Sequence, residues 1–237
     1  MEPSRRIAAT LASYTHYVDV GRLVPVAFFL SIVAASPLWA ADRPVRPVIA
    51  CYGDSITAGN GLEADQAYPA FLQRKLDAAG YAYKVVNQGT SGATTKDALA
   101  TLPDVLRLRP AIVILEFGGN DGLRGLPVDQ SLANLDQILT GLQNAQIRIV
   151  LAGITLPPDY GPDYIKSFDR MFQELAERHH VALIPMLYKN LVHVPGTIQA
   201  DGIHPTAKGA AIIADTVFPV LKPMLRRVPQ AHHPAQK

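Results

Sequence analysis

This sequence of 237 residues has little cysteine and few aromatic residues, and its net charge is small. Cys51 is the only cysteine, so no disulfide bond can form within the chain. The 22 Lys and Arg residues nearly balance the 20 Asp and Glu residues, and no basic cluster alternates with aromatic residues, which argues against nucleic acid as a partner. Aromatic residues make up 7% of the chain, which gives little support to a groove that stacks polysaccharide on aromatic side chains.

Groups of metal ligands and internal repeats are missing from the sequence as well, and we expect neither a metal ion nor another cofactor. The paired histidines end a predicted helix (His179 and His180) or lie in a proline-containing tail (His232 and His233). Hydrophobic residues, in contrast, make up 49% of the chain and charged residues only 18%. This balance is typical of an ordered globular domain and not of a disordered binding segment.

Apolar runs of strand length alternate with segments of helical periodicity between residues 48 and 225. The predicted strands are 48–52, 84–87, 111–117, 148–154 and 182–185. The predicted helices are 68–79, 128–145, 164–179 and 207–225. Because strands joined by crossover helices pair in parallel, the sequence predicts a three-layer α/β/α sandwich around a five-stranded parallel sheet.

The segment 1–41 has the features of a secretory leader. Arg22 precedes the uncharged stretch 23–41, which ends in the small residues Ala40 and Ala41 that suit signal-peptidase cleavage. An uncleaved membrane anchor is the alternative, because the uncharged stretch has nearly the length of a spanning helix, but its prolines favour cleavage. We therefore expect a periplasmic or secreted protein without a stable membrane anchor.

The rest of the chain divides into one folded domain, residues 42–226, and a tail, residues 227–237, that we expect to be disordered. Residues 48–51 loosely resemble a bacterial lipoprotein box, in which Cys51 would carry a lipid. Cleavage there would delete the first predicted strand. We therefore expect Cys51 to be a buried core thiol.

The tripeptide Gly53-Asp54-Ser55 follows the first predicted strand. Gly53 indicates a tight turn, which puts Ser55 at the carboxyl edge of the sheet, where open α/β folds bind their ligands. Asp and Ser are also common helix caps, and the tripeptide alone favours that structural role. Residues farther along the chain change this balance.

Asp201 and His204 lie in a second loop, near the end of the chain. Gly202 allows a tight bend, and Pro205 disfavours helix at His204. Such a loop can bring a carboxylate to imidazole Nδ1 and leave Nε2 free to deprotonate a hydroxyl group. Asp-x-x-His occurs by chance in many chains, but the order serine, aspartate, histidine is one that catalytic triads use.

Two further strands end in glycine-rich bends. Gly92 follows the second predicted strand and Asn120 follows the third. Taken alone, each residue is more typical of a turn. Together with Ser55, however, three successive strands end in loops that carry groups suited to acyl transfer, because backbone N–H groups and amide side chains can stabilise a developing oxyanion.

Four segments, in this order, resemble the sequence blocks of the GDSL or SGNH hydrolases: Gly53-Asp54-Ser55-Ile56, Ser91-Gly92, Gly118-Gly119-Asn120-Asp121 and Asp201-Gly202-Ile203-His204-Pro205. The resemblance implies the flavodoxin-like fold of the SGNH hydrolases, with Ser55 as nucleophile and Asp201 and His204 as acid and base. It also implies three oxyanion donors, which are the N–H groups of Ser55 and Gly92 and the side chain of Asn120.

The resemblance extends to loops that would contact a substrate. Six residues match the acyl-accommodating rim of such enzymes: Leu123, Leu126, Leu156, Pro157, Pro158 and Tyr160. Ordinary loop packing explains these residues equally well. We expect two further carboxylates, Asp54 and Asp121, to brace their loops through backbone hydrogen bonds.

The family implies a serine esterase that hydrolyses small acyl esters, thioesters or lysophospholipids through an acyl-enzyme. One alternative is a deacetylase of the same fold that acts on cell-wall or other polysaccharide. Another is a non-catalytic module that binds lipid or glycan, although a binder has no need of Ser55, Asp201 and His204 together.

Overall fold

A computed structural model describes residues 46–191 and 193–227. The predicted leader at residues 1–41 and almost all of the predicted tail at residues 227–237 lie outside the described residues, so both stay predictions. Within the described part of the chain, no helix is both long and apolar enough to cross a membrane.

Five parallel strands form one sheet in the order β2-β1-β3-β4-β5. The strands are β1 (Val48–Gly53), β2 (Lys84–Gly89), β3 (Ile112–Glu116), β4 (Arg148–Ala152) and β5 (Ala182–Ile184). Every side chain of β3, in the middle of the sheet, is buried. The predicted five-stranded parallel sheet is confirmed.

Helices cover both faces of this sheet. They are α1 (Ser55–Ala58), α2 (Tyr68–Ala78), α3 (Thr95–Arg107), α4 (Gly119–Leu123), α5 (Val128–Asn144), α6 (Pro162–His179) and α7 (Ala207–Leu221). α2 and α7 pack on one face, where Ile49 and Cys51 point, and α3, α5 and α6 pack on the other, where Ala50 and Tyr52 point. The three layers are confirmed. The thiol of Cys51 is buried as expected, and its burial raises the pKa of the thiol to about 12.

The sequence analysis missed α3. This helix begins with a capping box, in which Thr94 Oγ1 accepts a hydrogen bond from the Asp97 N–H and Asp97 accepts one from the Thr94 N–H. Pro103 lies inside the helix and interrupts the pattern that predicts helix. The predicted helix 207–225 also extends too far, since α7 ends at Leu221 before a 3₁₀ turn that contains a proline.

The carboxyl ends of β1 and β3 lie side by side in the centre of the sheet. In this strand order the connections from the two strands diverge, which opens a crevice between them. α1 begins just after β1, and α4 just after β3. Gly89, at the end of β2, lets α1 approach the sheet, because a Cβ on this residue would lie 2.1 Å from the backbone nitrogen of Ala58.

We expect Gly89→Ala to destabilise the fold by about 3 kcal/mol or more, because the added Cβ meets backbone atoms that cannot turn away. Gly80→Ala is the control. Gly80 has a φ of 76°, but no heavy atom lies within 4 Å of an added Cβ there, so only backbone strain of about 1 kcal/mol is expected. Urea unfolding of both variants measures the difference. Equal losses would contradict the contact between Gly89 and α1.

Candidate active site

Ser55 lies at the sharp turn between β1 and α1. A Cβ on Gly53 would lie 2.1 Å from Thr57 Oγ1 and 2.7 Å from the carbonyl oxygen of Glu116, so the turn requires glycine. Asp54, and not Ser55, caps α1, because the Asp54 carboxylate accepts the N–H two residues farther on. The Ser55 hydroxyl is therefore free of the capping role.

The loop between β5 and α7 brings His204 and Asp201 to this serine. His204 Nε2 lies 2.9 Å from Ser55 Oγ, and His204 Nδ1 lies 2.6 Å from Asp201 Oδ2. The other Asp201 oxygen accepts the N–H groups of Ile203 and His204. The hydrogen bond with His204, aided by these backbone donors, lowers the pKa of Asp201 to about 2. An ionised Asp201 holds a proton on Nδ1 and leaves Nε2 as the acceptor for the serine.

Two side chains that the sequence analysis did not identify hold this loop in place. The Tyr188 hydroxyl donates to the carbonyl oxygen of Ile203 at 3.0 Å. Gln199 Nε2 donates to the carbonyl oxygens of Asn60 and Pro205, both at 2.8 Å. These contacts join distant parts of the chain, so no local sequence pattern announces them.

The predicted oxyanion donors include two backbone N–H groups. The N–H groups of Ser55 and Gly92 have no hydrogen-bond acceptor among residues 46–191 and 193–227. Gly92 has a φ of 78°, and its carbonyl oxygen accepts a hydrogen bond from Arg124 at 2.9 Å. Ser55 lines the cavity described below, whereas Gly92 does not.

The third predicted donor, Asn120, has both amide hydrogens engaged. Its Nδ2 donates to Asp54 Oδ2 at 3.1 Å and to the carbonyl oxygen of Ala93 at 3.0 Å. The amide therefore links the loops that follow β1, β2 and β3. To donate to a substrate oxyanion, Asn120 must exchange one of these two hydrogen bonds.

A buried pair of carboxyl groups lies beneath the serine. Glu116 Oε2 accepts hydrogen bonds from the Asp54 N–H at 3.3 Å and from Thr57 Oγ1 at 2.9 Å, while Glu116 Oε1 is enclosed and accepts none among the described residues. Burial, followed by the nearby Asp54 carboxylate, raises the pKa of Glu116 well above its usual range. Burial also raises the pKa of Asp54 to about 6, against the opposing effect of its hydrogen bonds. Burial and the Asp54 carboxylate both favour the protonated form of Glu116.

Asp121 holds a separate set of contacts. Its carboxylate accepts the N–H of Thr95 at 2.9 Å, the Thr95 hydroxyl at 2.6 Å and the Ser131 hydroxyl at 3.1 Å. These bonds tie α4 to the starts of α3 and α5. Asp54 and Asp121 both make the loop-bracing contacts with backbone N–H groups that the sequence analysis expects of them.

Ser55, Asn120 and His204 open into a cavity of about 350 Å³. Most of the remaining wall is apolar: Ile56, Leu123, Ile154, Leu156, Pro157, Met186, Tyr188 and Ile203. No Lys or Arg lines it. The cavity can therefore enclose an apolar substituent of a substrate whose carbonyl group lies at Ser55.

The six residues predicted to contact substrate divide into two groups. Leu123, Leu156 and Pro157 line the cavity. Pro158 lines a different depression, and Leu126 and Tyr160 line neither. The Tyr160 hydroxyl instead donates to the carbonyl oxygen of Leu123 at 2.8 Å, and the carbonyl oxygen of Leu126 accepts from a tyrosine of α6. Both residues support the rim from behind. Ile154, Met186, Tyr188 and Ile203 complete the wall and were not predicted.

Metal-binding groups are a separate question. In the described part of the chain, no three His, Cys, Asp or Glu side chains are placed to hold a metal ion. That the protein works without a metal stays a prediction.

A parallel α/β sheet that presents a serine, a histidine and an aspartate in hydrogen-bonded series at its carboxyl edge has the architecture of a serine hydrolase. The sequence profile of the GDSL-like Lipase/Acylhydrolase family matches residues 51–212. The chain belongs to this family, and it is an ester-hydrolysing enzyme.

Individual relatives agree with this assignment. Esterase TesA from Pseudomonas aeruginosa is 42% identical over 174 residues, which cover 73% of this chain and 87% of the relative. Thioesterase 1/protease 1/lysophospholipase L1 from Escherichia coli K12 is 37% identical over 73% of this chain and 82% of the relative. The crystal structure of esterase EstA from Pseudoalteromonas sp., inhibited by monoethylphosphonate, has a TM-score of 0.71 and 31% identity, and the match covers 75% of this chain and 97% of that chain.

We expect Glu116→Gln to be at least as stable as wild type at neutral pH and Glu116→Ala to lose about 3 kcal/mol or more, because Ala leaves two buried donors unpaired and opens a cavity. Gln keeps an acceptor oxygen for both donors and, like the protonated acid, carries no charge. Urea unfolding at neutral pH compares the two variants. A large loss in Glu116→Gln would mean that an ionised Glu116 is part of the fold.

The pH dependence of stability tests the same assignment. Unfolded Glu116 loses its proton near pH 4.3, whereas the folded protein retains that proton to a higher pH. The folded state then binds more protons than the unfolded state, so wild-type stability falls as the pH rises, by up to about 1.4 kcal/mol per pH unit from this group. Glu116→Gln lacks this proton, so its stability relative to wild type should increase from about pH 5 towards neutral pH. If the stabilities of wild type and Glu116→Gln change with pH in parallel, the raised pKa of Glu116 is contradicted.

Proposed function

We propose that this enzyme hydrolyses carboxylic esters and thioesters of acyl chains through an acyl-enzyme on Ser55. The observation that carries the proposal is the series of two hydrogen bonds that joins Asp201 to His204 at 2.6 Å and His204 to Ser55 at 2.9 Å. This series activates a hydroxyl group that is otherwise a poor nucleophile at neutral pH.

The proposed reaction has two steps. His204 Nε2 takes the Ser55 proton while Oγ attacks the substrate carbonyl carbon, and the protonated imidazole then gives that proton to the departing alcohol. A thiolate leaving group needs less assistance because it is less basic. Water, deprotonated by His204, then attacks the acyl-enzyme and restores Ser55. Throughout both steps, Asp201 remains ionised and stabilises the positively charged imidazole.

The oxyanion of each tetrahedral intermediate would receive hydrogen bonds from Ser55 N–H, Gly92 N–H and Asn120. The two backbone donors have no protein acceptor among the described residues, which leaves them available to a substrate. Asn120 would take part by giving up a bond to Asp54 or to Ala93. Because negative charge develops in a cavity that holds little water, each such donor stabilises the transition state strongly.

The apolar wall supports acyl groups of medium or long chain as substrates. Leu123, Ile154 and Leu156 offer contact to methylene groups and nothing that would recognise a sugar. The names of the relatives, which include a thioesterase and a lysophospholipase, support thioesters and lysophospholipids beside simple esters. A polysaccharide deacetylase would require a shallower and more polar groove.

We also propose a periplasmic or secreted location, which rests on the sequence features of residues 1–41 alone. Fractionation of cells that produce the full chain would test it, and a protein found only in the cytoplasm would contradict it.

We expect the protein to hydrolyse p-nitrophenyl esters, with rates that increase from acetyl to longer acyl chains because the cavity wall is apolar. Ser55→Ala should abolish turnover and retain the fold. Asp201→Asn should lose far more turnover than Asp54→Asn, since only Asp201 contacts His204 Nδ1. Activity confined to acetate would favour the polysaccharide deacetylase, and no Ser55-dependent activity at all would favour a binding module.

Asn120→Ala should lose about a hundredfold to a thousandfold in kcat and change KM little, as expected for a donor that acts on the oxyanion. Because this variant also removes the contact with Asp54, its stability is measured alongside its turnover. Native stability with lost turnover supports the oxyanion role. Full activity would show that the two backbone donors suffice without Asn120.

A further inference from the structure

A second depression lies beside the catalytic cavity, on the other side of Leu156. It is an open groove of about 660 Å³. The segment after β4 contributes Leu156 and Pro158, and one face of α6 contributes residues three or four positions apart, among them Ile165, Lys166, Asp169 and Arg170. We call it the α6 groove.

The α6 groove adjoins the catalytic cavity. Leu156 lines both, and Pro157 of the cavity is followed directly by Pro158 of the groove. Thr155, another residue of the cavity wall, donates a hydrogen bond to Asp169 of the groove at 3.1 Å. The groove and the catalytic cavity therefore share a border at Leu156.

The α6 groove differs from the cavity in charge. Lys166 and Arg170, one helical turn apart, are exposed, and neither forms an ion pair or a side-chain hydrogen bond among the described residues. Other helical cations do pair with carboxylates, as Lys75, Arg107 and Arg178 show. Two like charges at this spacing do not stabilise a helix by pairing with each other.

Asp169 lies between these cations in the sequence, but its carboxylate faces the protein. Its Oδ2 accepts the hydrogen bond from Thr155, and its Oδ1 is enclosed without a partner among the described residues. The charge that the groove offers to an arriving ligand is therefore positive.

We propose that the α6 groove binds a phosphate on the leaving group of the substrate, the alcohol or thiol that departs when Ser55 is acylated. This proposal rests on the proposed function. The apolar cavity, which has no cation, takes the acyl chain, and the groove takes the other arm. Leu156, Pro158 and Ile165 pack against an uncharged linker, while Lys166 and Arg170 bind the phosphate by charge-assisted hydrogen bonds. Glycerophosphate of a lysophospholipid and the phosphates of a nucleotide thiol such as coenzyme A share this chemistry.

Pairs of substrates with the same acyl chain test the proposal. The first pair is an acyl-coenzyme A and the matching N-acetylcysteamine thioester, and the second is a lysophosphatidic acid and the matching monoacylglycerol. In Lys166→Ala/Arg170→Ala we expect KM for each phosphate-bearing substrate to rise about tenfold, with kcat unchanged and with a weaker dependence of KM on salt. KM for the neutral partners should stay within about twofold of wild type.

Lys84→Ala/Arg226→Ala is the matched control. Both residues are exposed cations without a side-chain partner among the described residues. Lys84 begins β2 at the amino edge of the sheet, and the Arg226 N–H bonds to the adjacent Tyr83 hydroxyl. The control variant removes the same amount of positive charge far from the groove. We therefore expect it to leave KM unchanged for both pairs of substrates.

The outcomes separate the proposals. A tenfold change confined to one pair supports the groove and identifies which source of phosphate it accepts. If KM rises equally for the phosphate-bearing and the neutral substrates, the proposal is overturned, and the groove instead binds the acyl chain. If the control variant raises KM for the phosphate-bearing substrates as much as Lys166→Ala/Arg170→Ala does, the effect comes from the net charge of the protein and the proposal is overturned as well. Unchanged KM values would overturn it outright. The proposed function fails separately, if the neutral substrates are not hydrolysed at all.

Discussion

The close contact between the Gly53 turn and the buried Glu116 is the constraint on which the candidate site depends. α1 has only four residues and cannot form a helix without support from its surroundings. At its start, the Asp54 N–H is bonded to Glu116, and the turn has no room for a side chain on Gly53. At the end of α1, the absence of a side chain on Gly89 lets the backbone of Ala58 contact β2. The direction of the Ser55 hydroxyl is thus fixed by contacts with three strands and not by α1 itself.

The electrostatics of the site follow from the same burial. Two ionised carboxylates at Asp54 and Glu116 would repel each other where water cannot screen them. A proton retained on Glu116 leaves one negative charge, on Asp54, and that charge is stabilised by the Ile56 N–H and by Asn120. Since Asn120 also bonds to Ala93, a single carboxylate orients the groups that follow three strands. The Asn120 amide is therefore held in a fixed position in the absence of substrate, and one of its two hydrogen bonds must be exchanged before it can donate to an oxyanion.

Much of this arrangement could be predicted from the sequence because it depends on local spacing. Ser55 follows a strand, and Asp201 and His204 share one bend, so short patterns suffice to identify them. The sequence pattern places Glu116 only within the predicted strand 111–117, because its partners Asp54 and Thr57 are about 60 residues away and its importance comes from burial. Tyr188 and Gln199 were missed for the same reason. Leu126 and Tyr160 lie on the expected loops but face away from the cavity, and the side on which a loop residue points depends on packing that no short pattern encodes.

The segment after β4 borders both the catalytic cavity and the α6 groove. Ile154, Leu156 and Pro157 face the catalytic cavity, and Leu156 and Pro158 face the α6 groove. This stretch is anchored at one point by the hydrogen bond from Thr155 to Asp169 and enters α6 through Pro162. A change in its length or stiffness must alter the wall of the cavity and the entrance of the groove together. Under the proposed assignment of the cavity to the acyl chain and of the groove to the leaving group, selection for the two is not independent, because Leu156 is a boundary common to both.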